Sequence, residues 1–326
     1  GPVGGKLHVR FRDIEEQVVK LNLDLVEPRG ERFQAGLLPA EWAWIDTRRI
    51  AGDVGYIAFN SFAYPTHVMQ SFNEAMESFL DADGLIIDLR GNGGGHLTEA
   101  TALSGLFIDN GPVVQLRNGN GRISRLDDPD PVARVAYSGP LAVLVDRYSA
   151  SASEIFAAAI QDYERGVIIG QQTFGKGTVQ NLYSLDQYLR SEDGKGYGQL
   201  TLTIGKYYRV TGESTQHRGV DPDIELPSHI NAELIGESVR DSALPWDTVP
   251  TTRFRAGKSL DGAIQSLAGS YEERTKSDPN FRYQVDMIRA AEVISEQKTV
   301  SLNIDKRREE REAELQRRLD RENERR

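Results

Sequence analysis

Residues 84–108 read GLIIDLRGNGGGHLTEATALSGLFI, and this stretch decides the fold. Leu85, Ile86 and Ile87 make a short apolar run that leads into the glycine loop RGNGGG at 90–95, and helical character follows at 97–106. A strand apolar on both sides has to be covered on both sides, which is the condition of a parallel sheet flanked by helices. The unit recurs along the chain. Val68, Phe72, Met76 and Phe79 repeat at helical spacing before it. After it come an apolar strand at 141–145 (LAVLV), a helix near 153–163 and a strand at 167–169 (VII). The middle of the chain is α/β.

The flanks differ. Residues 1–60 carry short alternating stretches, such as 6–11 (KLHVRF) and 54–59 (VGYIAF), broken by Gly and Pro turns, and predict strands joined by loops. Past Pro227 the pattern predicts helical stretches interrupted by the turn-rich 243–247 (ALPWD). From Arg307 nearly every residue is charged, with only Ala313, Leu315 and Leu319 to pack. Acids interleave with the arginines there, so the tail reads as a solvated helix or a disordered segment rather than a basic binding patch.

At 326 residues with 39% apolar content and 31 glycines, the chain can bury a real core as one large or two modest domains. A net charge of -10 argues against nucleic acid or an anionic membrane as the main partner, since both attract basic faces. The absence of cysteine excludes thiol nucleophiles, disulfides and thiolate metal sites, and fits a reducing cytosol or an oxidising periplasm equally. The opening Gly1-Pro2, without a signal-peptide pattern, reads as the start of a processed or cut-down fragment.

Three loops after strands can carry chemistry: 90–95 (RGNGGG), 147–154 (RYSASASE) and 173–178 (TFGKGT). In α/β sheets such loops meet at the carboxyl ends of the strands. The third has the outline of a phosphate loop, GQQTFGKGTVQ at 170–180, but a loop of that type needs Ser or Thr after the lysine and a helix starting there. Gly177 follows Lys176, and 178–182 reads as a strand, so the fingerprint fails twice. What remains is a structural glycine turn or a lysine with another task.

Ser151-Ala152-Ser153-Glu154 fits a capping box, the plain mark of a helix start. The same geometry aims the Ala152 amide out of the helix end, where it can stabilise an oxyanion beside a nucleophilic serine; Ser149, Ser151 and Ser153 all stay open as that serine. Of the histidines His8, His67, His96, His217 and His229, only His96 adjoins a candidate loop, and it reads as a helix-entry residue. A lysine can act as base instead if burial brings its pKa down by about 3 units, which costs about 4 kcal/mol. Lys176, beside Phe174, is a candidate. The glycines at 93–95 are either a flexible turn or a source of unobstructed amides.

Together these residues resemble the C-terminal processing peptidases, most closely the tail-specific protease branch of Gram-negative bacteria. The resemblance is carried by 84–108, by 139–180 (GPLAVLVDRYSASASEIFAAAIQDYERGVIIGQQTFGKGTVQ) and by 206–227 (KYYRVTGESTQHRGVDPDIELP), and continues more weakly through 243–250 (ALPWDTVP). It implies a ClpP/crotonase-like mixed α/β peptidase core with a β-rich N-terminal segment and a helical C-terminal extension. By family pattern Ser151 is the nucleophile and Lys176, 25 residues on, the base. Gln180 matches a glutamine that orients the lysine, Asp162 an acidic position implicated in this branch, and Ala152 with Gly94 or Gly95 the oxyanion donors. The implied enzyme is a periplasmic serine endopeptidase without cofactor or metal, acting on proteins near unstructured C-termini, with an adaptor protein as a further partner.

The expected division is a PDZ-like remnant at 1–12, a cap segment at 13–83, the catalytic core at 84–227 and the helical extension at 228–326. Residues 25–50, with Trp42 and Trp44, depart from the branch pattern. The rival readings are a peptide-binding or scaffolding module with an idle hydrolase site and, third, a nucleotide-binding enzyme.

Overall fold

A computed structural model describes residues 4–13, 16–63, 67–130, 135–189, 196–228, 230–231 and 233–325. His229 and the first three residues of the PDZ-like remnant lie outside these. The N-terminal part supplies β1 (Lys6–Arg12), β2 (Val18–Asp24), β3 (Glu31–Phe33), β4 (Glu41–Ala43), β5 (Ile45–Ile50) and β6 (Val54–Phe59). The middle adds α1 (His67–Ser78), β7 (Gly84–Asp88), α2 (Leu97–Gly105), β8 (Pro112–Asn118), β9 (Ile123–Asp127), β10 (Leu141–Val145), α3 (Ala152–Asp162) and β11 (Val167–Gly170). Then come β12 (Thr178–Ser184), β13 (Gln199–Tyr208), β14 (Ile224–Glu225), α4 (Asp261–Ser277), α5 (Pro279–Glu296) and α6 (Ile304–Arg325).

The expected mixed α/β fold is present. The central sheet has the order β14-β11-β10-β7-β6-β5, parallel throughout except for the β5 edge. One face of the sheet is buried, with Leu85, Ile87, Val143 and Ile168 on it, while Ile86, Ala142, Leu144 and Ile169 on the opposite face are half-buried, so the cover on both faces expected from the apolar runs is complete on one side only. α1 seals its side with Val68, Met69, Phe72, Ala75 and Met76, the stripe visible in the sequence. α3 is buried nearly all round, from Ala152 to Ile160, as befits a helix in the middle of a core. Phe156 on α3 stands edge-on to Phe107 with ring centroids 5.9 Å apart, and burying such a side chain contributes about 1.5–3 kcal/mol.

A second sheet, β12-β13-β8-β9, is antiparallel, and β1 with β2 forms a separate hairpin. Parallel register puts the carboxyl ends of β7, β10 and β11 at one edge, so the three sequence-selected loops emerge together. Helix resumes later than the sequence predicts. Residues 233–254 hold only a short 3-10 turn, Glu237–Val239, and fold back onto the core before α4 begins at Asp261. The reason is a set of contacts invisible in the pattern. Asp247 gathers Arg117, Lys206 and the Tyr208 hydroxyl, the Trp246 indole donates to Ser214 O at 2.8 Å, and Val249 N donates to Gly212 O at 2.8 Å.

Candidate active site

The glycine loop and the serine loop are bolted together by Asn92. This fully buried side chain donates to Phe59 O at 2.9 Å and accepts from Gly94 N at 3.0 Å, while its carbonyl accepts from Ala150 N at 3.0 Å and Ser153 Oγ at 2.9 Å. Gly94 has φ +101°, and a Cβ there would lie 2.8 Å from Ser151 Cβ and 3.0 Å from Ala152 N. Only glycine permits that approach and that backbone. Of the two expected loop donors, the Gly94 amide is committed to Asn92 Oδ1, and Gly95 packs against the Phe62 backbone.

Ser151 sits before the first turn of α3 with φ 58° and ψ -112°, a conformation that costs a non-glycine residue about 1–3 kcal/mol unless its surroundings hold it. They do. Its amide donates to Glu154 Oε2 at 2.7 Å, and its carbonyl lies 3.3 Å from the Tyr207 hydroxyl. Ala152 opens the helix, where the first amides have no intrahelical partner.

Glu154 also grips the lysine loop. Its Oε1 accepts from Thr173 Oγ1 at 2.6 Å and Gly175 N at 2.6 Å, and its Oε2 accepts from Lys176 N at 3.0 Å. Complete burial pushes this carboxyl up to about 7 against the pull of those donors. Tyr207 adds a second tie, donating to the Lys176 carbonyl, and Gly177 N donates to Gln216 Oε1 at 2.8 Å. Serine and lysine thus hang from one buried carboxylate and one buried phenol.

The Lys176 side chain is partly buried, and its pKa is lowered, chiefly by desolvation. Glu237 and Glu154 pull it up, and Arg240 pulls it down. Among the described residues its amine makes no hydrogen bond, the one to Ser151 Oγ included.

The other expected residues are placed elsewhere. Gln180 is exposed on β12 beside a bulge, and its amide reaches Thr203 Oγ1 at 3.5 Å. Asp162 ends α3, one helix length of about 16 Å from Ser151, where it receives a two-pronged bond from Arg209. Its burial raises its pKa while Arg209 opposes that. His96 precedes α2, and the His217 ring contacts Leu244 O at 2.7 Å. Among the described residues no group of three or more acidic or His side chains could hold a metal ion.

Asn92, Thr173, Tyr207 and Gln216 stand out by no motif of their own in the sequence, and Glu154 only as part of a capping box. That pattern marks the residue while leaving its second set of partners unseen.

A strained serine at a helix start, packed against a glycine loop and tied to a buried lysine loop, is the layout of a hydrolase site. The chain belongs to peptidase family S41, a family of proteases, whose pattern matches residues 53–226. Residues 230–326 match the C-terminal domain of tail specific protease. Over 241 residues the chain is 47% identical to the tail-specific protease of Haemophilus influenzae, covering 73% of this chain and 34% of that protein. It is 35% identical over 196 residues to the carboxy-terminal-processing protease of Bartonella bacilliformis, covering 59% of this chain and 43% of that one. A photosystem II D1 C-terminal processing protease of known structure overlays with TM-score 0.49 at 25% identity, covering 72% of this chain and 59% of that chain. The chain therefore spans about a third of the length of the Haemophilus relative. Among the described residues no helix is long and apolar enough to cross a membrane.

Proposed function

We propose that this chain is the catalytic part of a serine endopeptidase that works through Ser151 and Lys176. The observation that carries the reading is the Glu154 carboxylate, which accepts from the Ser151 amide and from the Gly175 and Lys176 amides at once. A buried clamp of that kind holds nucleophile and base in one frame.

Ser151 Oγ attacks the scissile carbonyl carbon while the neutral Lys176 amine takes its proton. The carbonyl oxygen becomes anionic and is met by the Ala152 amide at the helix start and by the Gly95 amide. The C–N bond then breaks, the Lys176 ammonium returns the proton to the departing amine, and an ester to Ser151 remains. Water attacks that ester, losing a proton to Lys176; the C–O bond to Ser151 then breaks, the Lys176 ammonium returns the proton to Ser151 Oγ, and the acid product leaves with the site restored. The Ser151–Lys176 hydrogen bond forms in this scheme when substrate closes the site, as catalytic bonds commonly tighten in the bound complex.

Recognition of substrate near an unstructured C-terminus is part of this proposal, supported by the likeness to a tail-specific protease, and a periplasmic location and an adaptor partner belong to it as well. The test is cleavage of β-casein by the wild type, Ser151→Ala and Lys176→Ala from pH 6 to 10. Both variants are expected to lose several orders of magnitude in rate. Variants that cleave like the wild type would remove the dyad, and a wild type as inert as both variants would favour the scaffolding reading.

A further inference from the structure

When Lys176 takes the serine proton it becomes an ammonium in a mostly buried place, and such a charge needs an opposite one nearby. Asp162 is a helix length away and taken up by Arg209. Glu154 is spent on Ser151, Thr173, Gly175 and Lys176 backbone and hydroxyl donors. A third carboxylate has capacity left. Glu237 is buried, its Oε2 has no hydrogen bond among the described residues, and the Arg240 guanidinium stands 3.7 Å from it.

Glu237 arrives on the segment that folds back from the end of the peptidase match. Its amide donates to Phe174 O at 3.0 Å, two residues before the lysine. Ile235 O accepts from Arg147 Nε at 2.6 Å, and Arg147 also donates to Thr173 O, at the start of the lysine loop. Gly236 packs so closely, with φ +143°, that a Cβ would come 3.0 Å from Phe174 O. Buried Gln216 joins the two sides: it accepts from Gly177 N at 2.8 Å and donates to Leu244 O at 2.9 Å, with Glu237 Oε1 at 3.5 Å. Arg240 lies over the Phe174 ring at 5.5 Å.

We propose that Glu237 is a positioning residue for Lys176, carried to the lysine by the fold-back segment and stabilising the ammonium formed during proton transfer. This deepens the reading of Lys176 as the base and rests on it. The lysine is also faced by Glu154 from α3, Tyr207 from β13, His217 against Gly175, Arg147 through Thr173, and Arg240 beside Glu237. Of these Glu237 raises the Lys176 pKa most and Arg240 lowers it, so removing them should act in opposite directions. The site thus extends past residue 230, into the part of the chain matched by the C-terminal domain.

The experiment is an NMR titration of chain labelled with 13C at the lysine ε-carbon, from pH 6 to 11, with the Lys176 signal assigned by its loss in Lys176→Ala. The Lys176 midpoint should fall in Glu237→Gln and rise in Arg240→Gln, and the basic limb of kcat for β-casein should move with it while KM stays put. A Glu237→Gln midpoint equal to the wild type, or shifted the same way as Arg240→Gln, overturns the proposal. If Glu237→Gln does not fold, Arg240→Gln decides, and an unmoved midpoint overturns it. Failure of the base reading would look different, because Lys176→Ala would then cleave as the wild type does while the titration still reports on Glu237.

Discussion

Alanine at position 94 should disable the site by geometry alone. The added Cβ would sit 2.6 Å from Ala150 O, 2.8 Å from Ser151 Cβ and 3.0 Å from Ala152 N. Carbon atoms rest about 3.5–4.0 Å apart, so the glycine loop and the serine must separate by roughly 0.7 Å or more. A φ of +101° adds about 1–2 kcal/mol for an L residue, and overpacking about 1–3 kcal/mol, so Gly94→Ala should lose about 2–5 kcal/mol of stability. A displacement of about 1 Å at the reacting groups costs on the order of 100-fold in rate. The assays are urea unfolding and the initial rate of β-casein cleavage. Two neighbours separate the causes. Gly91 has φ +72° but open space around its Cβ, so Gly91→Ala carries the conformational cost alone. Gly93 has open space and no such φ, and Gly93→Ala should be near neutral. The reasoning fails if Gly94→Ala keeps its stability and cleaves within about threefold of the wild type, or if Gly93→Ala falls as far.

Two further outcomes follow from the charges around the site. Burial lowers the Lys176 pKa below its unfolded value, so folding with the ammonium is penalised at neutral pH, and the penalty is relieved as pH rises through the folded pKa toward 10.5. Lys176→Met should therefore be more stable than the wild type at pH 7, with an advantage that shrinks as pH rises; urea unfolding at several pH values checks this, and a constant difference contradicts it. Asp162→Asn leaves the half-buried Arg209 guanidinium without its counter-charge and should cost about 3 kcal/mol of stability while leaving the pH limb of cleavage where it is. A stable Asp162→Asn protein that no longer cleaves would instead put Asp162 in the chemistry.

Local pattern carried much of this protein. The apolar runs at 85–87, 141–145 and 167–169 lie in β7, β10 and β11, and the helical stretches became α1, α2 and α3, because a core strand leaves an apolar run and a helix buried on one face leaves a period in the sequence. The charged tail is helical, as one of its two readings had it. The glycine run, Ser151 and Lys176 stood out because each breaks its local pattern in a way that invites chemistry.

What sequence left open is set by contacts between distant segments. Glu154 reads as half of a capping box, and only parallel packing of β10 against β11 brings Thr173, Gly175 and Lys176 to its carboxylate. Asn92, Tyr207 and Gln216 are ordinary polar residues until the fold buries them and their hydrogen bonds must be met inside the protein. The segment around Glu237 and Asp247 lacks any strong period, since its backbone is held by single bonds to Phe174, Gly212 and Val210 rather than by a helix or ladder. Sequence by itself determined the parallel strands and their helices, and its resemblance to a family pointed to Ser151 and Lys176 among the candidates. Tertiary structure decided which buried acids stand beside them, because burial and charge pairing depend on what the fold brings together across the chain.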